Sequence, residues 1–361
     1  MQNKKIYAGL IIIIIIFLTG CKKSDNIIDT KPAKDPRTYT WTADTLGYPG
    51  ASQTLMDDIW GSSAKDVYVV GHNSQNRGLM WHYDGNKWTD VHLITSEGGQ
   101  ISGAIDLSAI YGFSSTDIYA VGSRIRINYN PPPNFIDSSL IIHYDGSAWR
   151  QVDIIAGSML TDILGSSSNN IWAGGRFNTL YHYDGNKWTR DSVVVDVPQN
   201  QAFHILSVGA GNSGDYLTGY TSFSDLSDLK SYLLKRNNSS WVKIDSSGYH
   251  TYRLYSSPSG ELYYAGEGVI FKNSGSQWTN IFNVNQYIAG MSASSDDNIF
   301  AVGQGGANKV YHYNGTDWKE IEQLTLPGAD YWAVWTDGTE AFVVGHIADG
   351  VFQKTIIWHG K

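Results

Sequence analysis

The stretch Tyr181–Trp188, with the sequence YHYDGNKW, decides the fold because it recurs along the chain. The Asp-Gly pair supplies the positive φ that a tight hairpin turn requires, and the aromatic residues around it are typical of strands. Each copy therefore predicts a strand, a turn and a second strand, and the recurrence predicts a repeat fold. The other copies are His82–Trp88 (HYDGNKW), His143–Trp149 (HYDGSAW) and His312–Trp318 (HYNGTDW), with weaker ones at Leu234–Trp241 and Phe271–Trp278.

A second phrase lies upstream of each hairpin and predicts two more strands joined by a polar turn. It is IWGSSAKDVYVVG at Ile59–Gly71. A complete unit therefore has four strands. Six units end in the Trp of a hairpin, whereas the seventh stops after Thr355–Gly360 (TIIWHG). The further copies of the phrase begin at Ile110, Ile163, Ile205, Leu254, Met291 and Ala333.

The fourth strand that the last unit lacks is found at the other end of the chain. Thr38–Asp44 (TYTWTAD) precedes the first unit and carries Trp41 where the other fourth strands carry their Trp. We therefore predict an all-β, seven-bladed β-propeller whose ring is closed by the N-terminal strand completing the C-terminal blade, which removes two free sheet edges. The predicted domain spans residues 38–361, with blades at about 55–93, 105–153, 160–192, 203–245, 252–282, 288–322 and 331–361 plus 38–45.

One unit resembles the motif of kelch and galactose-oxidase-like propellers. Ile171–Trp188 (IWAGGRFNTLYHYDGNKW) has Gly174, Gly175, Tyr183 and Trp188 in the corresponding roles. Most other units keep one of the two glycines, and the spacing from Tyr to Trp is one residue shorter than in kelch. The resemblance implies the propeller fold and carries no catalytic residue to this chain.

The N-terminal residues predict export and lipid anchoring. Lys4 and Lys5 precede the apolar run Leu10–Leu18, which is short for a membrane span and typical of a signal peptide at residues 1–20. The following Cys21 completes a segment, LTGC, that resembles the lipobox of bacterial lipoproteins, which implies acylation of this cysteine with palmitate-type chains.

The residues after Cys21 predict how the domain is attached. Cys21 is the only cysteine, so no disulfide partner exists for it. Lys22 favours the outer membrane, with the domain facing either the periplasm or the cell surface. Residues 21–37 are polar and predict a flexible tether between lipid and domain.

Composition and repetition exclude several kinds of site. The net charge of −8 argues against a nucleic-acid partner, which needs a basic surface. No phosphate loop or other cofactor motif is indicated. Repeated histidines occupy the same place in different blades, so the ring holds them apart and no metal site is expected; the repeated aspartates are interpreted as turn formers. These residues are His82, His143, His182 and His312, and Asp84, Asp145 and Asp184.

Two groups of residues are candidates for binding. The first is the long connection 123–139 of blade two, with Arg124, Arg126 and Tyr129, since irregular loops on a rigid scaffold often bind ligands. A solvated insertion is the alternative interpretation. The second group lines the channel rim at equivalent positions of the first strands, where variation between blades suits a binding mouth but also fits drift between repeats. These positions are Asp58, Ala109, Asp162, His204, Arg253, Gly290 and Trp332.

Two classes of function follow. The favoured hypothesis is a non-catalytic binding or scaffold protein, lipid-anchored outside the cytoplasm, for a glycan, peptide or protein partner. The alternative is an extracytoplasmic enzyme, for example one acting on a polysaccharide at the channel mouth. An enzyme predicts clustered titratable groups with opposed pKa shifts there. Fold alone cannot choose between them.

Overall fold

The structure is a computed structural model that describes residues 34–127, 135–152, 157–197, 199–222, 230–248, 252–275, 277–304 and 308–361. The expected signal peptide, Cys21, the tether up to residue 33 and Tyr129 lie outside these ranges. Residues 34–361 form one compact unit.

The described residues form seven antiparallel four-stranded sheets, which confirms the seven-bladed propeller. The last blade combines β1 (Trp41–Leu46) with three C-terminal strands. Blades one and two are β2 (Thr54–Ser63), β3 (Asp66–Asn73), β4 (Met80–Tyr83), β5 (Trp88–Asp90), and β6 (Ala104–Ser114), β7 (Asp117–Ile127), β8 (Phe135–Tyr144), β9 (Trp149–Gln151). Blades three and four are β10 (Leu160–Ser167), β11 (Asn170–Gly175), β12 (Thr179–Tyr183), β13 (Trp188–Asp191), and β14 (Ala202–Gly211), β15 (Gly214–Ser222), β16 (Lys230–Asn237), β17 (Ser240–Gly248).

The remaining strands complete the ring. Blades five and six are β18 (Arg253–Ser256), β19 (Leu262–Gly266), β20 (Val269–Asn273), β21 (Trp278–Asn283), and β22 (Tyr287–Ser295), β23 (Asn298–Gln304), β24 (Val310–Tyr313), β25 (Trp318–Glu320). Blade seven is β26 (Ala329–Thr336), β27 (Ala341–Asp349), β28 (Phe352–Gly360) and β1. Short 3-10 helices lie at Pro36–Thr38, Thr95–Glu97 and Glu322–Leu324. None of the helices in these described ranges has the length and apolar character needed to span a membrane.

The repeated hairpin has the structure that its sequence predicts. Gly185 has a φ of 89°, and the Asp184 carboxylate accepts hydrogen bonds from the backbone N–H groups of Asn186 and Lys187, both at 2.9 Å. The same bonds occur at Asp84 and Asp145. These aspartates therefore stabilise turns, as expected.

The repeated histidines build the blades. His182 stacks on Trp172 of the neighbouring strand with ring centroids 4.2 Å apart, and its Nε2 donates to Asn170 Oδ1 at 2.7 Å. His82 and His143 stack in the same way on Tyr68 and Tyr119, also at 4.2 Å. Each histidine is thus held inside its own blade, which fits the structural role inferred from repetition.

The ring closes where the two ends of the propeller meet. β1 pairs antiparallel with β28, from Trp41 opposite Gly360 to Leu46 opposite Thr355. Residues 34–37, which the sequence assigns to the tether, also contact the propeller. Lys34 Nζ donates to the carbonyl of Lys361 at 2.9 Å, and the Arg37 guanidinium forms a 2.8 Å ion pair with Asp317 of blade six.

Gly360 gives a direct test of this closure. A Cβ at this position would lie 2.7 Å from the Trp41 ring, closer than van der Waals contact permits. We expect Gly360→Ala to lower the free energy of unfolding by about 1–3 kcal/mol, as overpacking does elsewhere. Gly47→Ala is the matched control because its Cβ would meet the Lys354 side chain at an ordinary 3.6 Å. Chemical denaturation of both variants measures the effect, and equal stabilities would contradict the role of Trp41 in closure.

Candidate binding site at the mouth of the channel

The two faces of the propeller differ in what they display. We call the turn face the one that carries the turns between strands one and two, and between strands three and four, of each blade. The variable face carries the connections between strands two and three and those from blade to blade. Because the first strand of each blade borders the channel, its residues link the two faces.

A β-bulge in the first strand sets which residue enters the channel. Bulges lie between Met56 and Asp58 in β2 and between Leu160 and Asp162 in β10, and each carboxylate follows its bulge directly. Arg253 pairs with Ala265 in the corresponding register of blade five. The bulges also shift two expected positions. Ser207, not His204, corresponds to Asp162 in blade four, and Ala333, not Trp332, does so in blade seven.

Asp58 and Asp162 fasten neighbouring blades together. Asp58 accepts hydrogen bonds from the backbone N–H of Ile59 and from that of Ile110 in blade two, both at 2.9 Å. Asp162 accepts one from Val208 N–H of blade four at 2.9 Å.

Ser207 continues the pattern in blade four. Its hydroxyl donates to the Asp162 carboxylate and accepts from Leu254 N–H of blade five at 2.9 Å. The channel side chains of blades one, three and four therefore each satisfy a backbone donor of the next blade.

The same carboxylates are electrostatically coupled across the channel. The pKa of Asp58 is raised to about 7, chiefly by burial and also by the charge of Asp162, against the opposing effects of its two backbone hydrogen bonds and of Arg253. Burial also raises the pKa of Asp162, against the opposing effect of Arg253. The two pKa values move in the same direction, unlike those of a general acid and a general base, which environments push apart.

Aromatic side chains cross the channel near the turn face. The hydroxyl of Tyr111 in blade two interacts with the side chain of Ser256 in blade five, so this residue spans the ring between blades that are not neighbours. Tyr255 donates from its hydroxyl to the Ala289 carbonyl of blade six at 2.8 Å. A ligand entering the channel therefore meets these rings on the turn-face side.

A polar and aromatic cluster lies at the variable-face end, where blades seven and one meet. We call it the mouth cluster: Asp57, His72, Trp332 and His346. Asp57 and Trp332 are the corresponding bulge residues of the two blades, and His72 and His346 are the corresponding residues of the second strands. The cluster is therefore built twice from the same positions of the repeat.

Asp57 lies between the two histidines. His72 Nδ1 is 3.1 Å from one carboxylate oxygen and His346 Nε2 is 3.8 Å from the other. His346 Nε2 also lies 2.9 Å from the Met56 carbonyl, to which it donates. The hydrogen bond to Asp57 raises the pKa of His72, whereas burial lowers the pKa of His346.

Trp332 completes the mouth cluster. Its ring lies 5.3 Å from that of His346 with the planes tilted by 31°. The indole N–H is buried and has no hydrogen-bond partner among the described residues. Five other tryptophans among the described residues also have a buried, unpaired N–H, so the accessible part of the Trp332 ring, and not this donor, is what the mouth offers to a ligand.

The long connection of blade two differs from its expected form. β7 and β8 extend to Ile127 and from Phe135, so Arg124 and Arg126 lie in paired strands and not in an irregular loop. Arg124 is buried and donates to the Gln151 side chain. Because the Arg124 side chain is buried, its guanidinium is poorly placed to contact a binding partner. The described part of Arg126 is its backbone, and Tyr129 lies outside the described residues.

The remaining sequence candidates are dispersed. His204 lies at the variable-face end of the first strand of blade four, where its ring contacts that of Phe177. Sequence reasoning missed Asp57, His72 and His346. A signal was present, since a histidine follows the glycine at the end of the repeated phrase in blades one and seven only. Within the described ranges no group of three or more His, Cys, Asp or Glu side chains could hold a metal ion.

Several solved structures share this fold. The chain is similar to YCF48 bound to a D1 peptide, with a TM-score of 0.56 and 13% identity over 91% of this chain and 98% of that one. It is similar to the extracellular domain of a one-component system from B. thetaiotaomicron, with a TM-score of 0.55 and 14% identity over 88% of this chain and 40% of that one. The WD40 β-propeller domain of Doa1 gives a TM-score of 0.54 and 12% identity, covering 88% and 96% of the two chains.

These likenesses show the fold alone, because the identities are low. No protein-family model matches the chain, and no curated protein matches it.

The raised pKa of Asp58 predicts a pH dependence of stability. Between the ordinary pKa of 3.8 and about 7, the folded protein holds a proton that the unfolded chain releases, so this contribution to stability is lost as pH rises through about 7. Asp58→Asn removes it. We expect the free energy of unfolding of wild type, relative to that of the variant, to fall by up to about 4 kcal/mol from pH 4 to pH 8. Urea unfolding across this range measures it, and parallel curves would show that Asp58 does not titrate this way.

Proposed function

We propose that the protein is a lipid-anchored, extracytoplasmic β-propeller that binds a glycan, peptide or protein partner without catalysis. The binding site in this proposal is the mouth cluster on the variable face. The observation that carries it is the placement of Trp332, a half-buried aromatic ring, beside His346 and the Asp57–His72 pair at the channel mouth.

The chemistry of the mouth cluster suits a ligand with both apolar surface and hydrogen-bonding groups. An aromatic ring offers a face for stacking. Asp57 and His72 lie alongside with side chains 27% and 41% exposed, so a carboxylate and an imidazole are both within reach of solvent. Sugars and peptide backbones present this combination of C–H surface and polar groups.

The channel carboxylates support binding over catalysis. Each oxygen of Asp58 already accepts a backbone hydrogen bond, one from its own blade and one from the next. A carboxylate held in this way joins neighbouring blades, and the pKa values of Asp58 and Asp162 are both raised rather than pushed apart as in an acid–base pair. The mouth then remains a rigid frame on which side chains are pre-positioned, and rigidity of this kind favours affinity.

Trp332 provides the main test of the site. We expect Trp332→Ala to weaken binding by tenfold or more, on the order of the loss seen for buried aromatic anchors, and Trp332→Phe to weaken it less because stacking is retained. The purified domain, residues 34–361, is screened on glycan and peptide arrays, and the best binder is titrated by calorimetry. Val242→Ala is the control, since Val242 is exposed on β17. Unchanged affinity of the alanine variant would remove the mouth from consideration.

The lipid anchor is tested separately at Cys21. We expect Cys21→Ser to abolish incorporation of a palmitate analogue and to release the protein from the membrane fraction, because the thiol that accepts the acyl group is lost. Fractionation of outer and inner membranes, and protease treatment of intact cells, test the proposed outer-membrane location and which side the domain faces. Full membrane retention of the serine variant would contradict acylation.

One observation favours the alternative, a polysaccharide-active or other extracytoplasmic enzyme. His72 and His346 flank Asp57 and their pKa values are shifted in opposite directions, which is the pattern that separates an acid from a base. If this pair were catalytic, His72→Gln would abolish turnover of a polysaccharide that the domain binds, while leaving binding intact. Release of reducing sugar ends measures that turnover, and its absence with wild-type protein removes the alternative.

A further inference from the structure

The turn that joins β11 to β12 holds a bulky residue in an unfavourable backbone conformation. Phe177 and Asn178 have φ values of 52° and 53°, the signs that a type I′ turn needs at its two central positions. Asn and Gly adopt this region readily, whereas a bulky residue there is strained by roughly 1–2 kcal/mol. A phenylalanine at this place therefore calls for an explanation beyond the turn.

Hydrogen bonds hold this strained turn in place. Thr179 N–H donates to the Arg176 carbonyl at 3.2 Å, which closes the turn. Asn178 N–H donates to the Phe203 carbonyl at 2.8 Å, and Asn178 Nδ2 donates to the Val193 carbonyl at 2.8 Å. The turn is thus tied to blade four and to the connection between the two blades.

Burial does not offset the strain, because the Phe177 side chain is 62% exposed. One side of its ring lies against His204, with centroids 4.9 Å apart, and His204 in turn stacks on Tyr220 at 5.2 Å and 17°. Burial and the charge of Arg176 lower the pKa of His204, so its ring is neutral near neutral pH. These ring contacts fix the orientation of the Phe177 side chain and leave the opposite face of its ring exposed to solvent.

The surroundings of Phe177 point to one kind of partner. Val194 comes directly after Val193, whose carbonyl accepts the hydrogen bond from Asn178. Val194 is 85% exposed, so a second apolar side chain lies next to the turn. Arg176 is exposed and forms no ion pair with any described residue, in a chain of net charge −8. An aliphatic side chain beside the ring suits apolar peptide side chains better than sugar hydroxyls, and the arginine complements a carboxylate.

We propose that Arg176, Phe177 and Val194 form a second docking surface, the Phe177 patch, for an extended peptide segment in which an apolar side chain is followed by a carboxylate. The apolar side chain packs on Phe177 and Val194, and the carboxylate pairs with Arg176. The patch belongs to blades three and four and the mouth cluster to blades seven and one, so the two sites are independent. The strain at Phe177 is retained because the ring is needed at the surface.

The test separates binding from stability at one position. Phe177→Asn places in the turn a residue that tolerates its conformation, so we expect Tm to stay the same or rise while affinity falls at least tenfold. Fluorescence anisotropy uses labelled short peptides in which a central leucine is followed by aspartate, asparagine or lysine. We expect the aspartate peptide to bind wild type most tightly, and Arg176→Glu to abolish that preference. Val351→Ala, at another exposed position of the variable face, is the control that should leave peptide binding unchanged.

Each other outcome overturns the proposal. A fall in Tm of Phe177→Asn shows that the ring serves stability. Equal binding of the three peptides, or no binding of any, removes the peptide partner, and a glycan whose binding depends on Phe177 replaces it. Loss of peptide binding in Trp332→Ala would assign the peptide to the mouth cluster instead, which would leave the proposed function standing and the Phe177 patch rejected.

Discussion

Pairing of β1 with β28 is the constraint on which the rest of the structure depends. Without it, blade seven would have three strands and the outer edge of β28 would be unpaired. With it, the first strands of all seven blades are held around one channel. The side chains that line this channel then act across blade boundaries, as Asp58 does by accepting from Ile110 of blade two. The pairing of β1 with β28 at the outside of the ring therefore supports the hydrogen bonds between blades at the channel, and these bonds support the ring in turn.

Repetition explains why the fold could be predicted so fully. Each hairpin depends on local rules, namely Asp-Gly turns and aromatic strand residues, and these act within a few positions of sequence. The seventh unit lacked a fourth strand, and Trp41 supplied the evidence for where that strand was. Because the same rules apply in every unit, a wrong strand assignment in one unit is revealed by comparison with the other units.

The candidate site was harder to predict because it depends on β-bulges. A bulge adds one residue to a strand without a fixed sequence signature. The predicted channel positions were therefore displaced by one residue in blade seven, from Ala333 to Trp332, and by three residues in blade four, from Ser207 to His204. Arg124 illustrates a second limit. Strand pairing between β7 and β8 continued beyond the repeated motif and buried a residue that composition alone placed in a loop. Contacts between blades, such as Tyr111 with Ser256, join residues far apart in sequence and have no local signal.

Closure by β1 also has a kinetic consequence. The strand that leaves the ribosome first among those of the propeller pairs with the strand that leaves last, so the final blade cannot form until the whole chain is available. Six blades can fold from contacts between neighbours in sequence, while the seventh requires a loop of more than three hundred residues to close, a slow step on contact-order grounds. Until then the Trp41 strand must stay unpaired. Four of its residues, Thr42 to Thr45, are exposed even in the folded blade, so the unpaired strand has little apolar surface to shield from solvent.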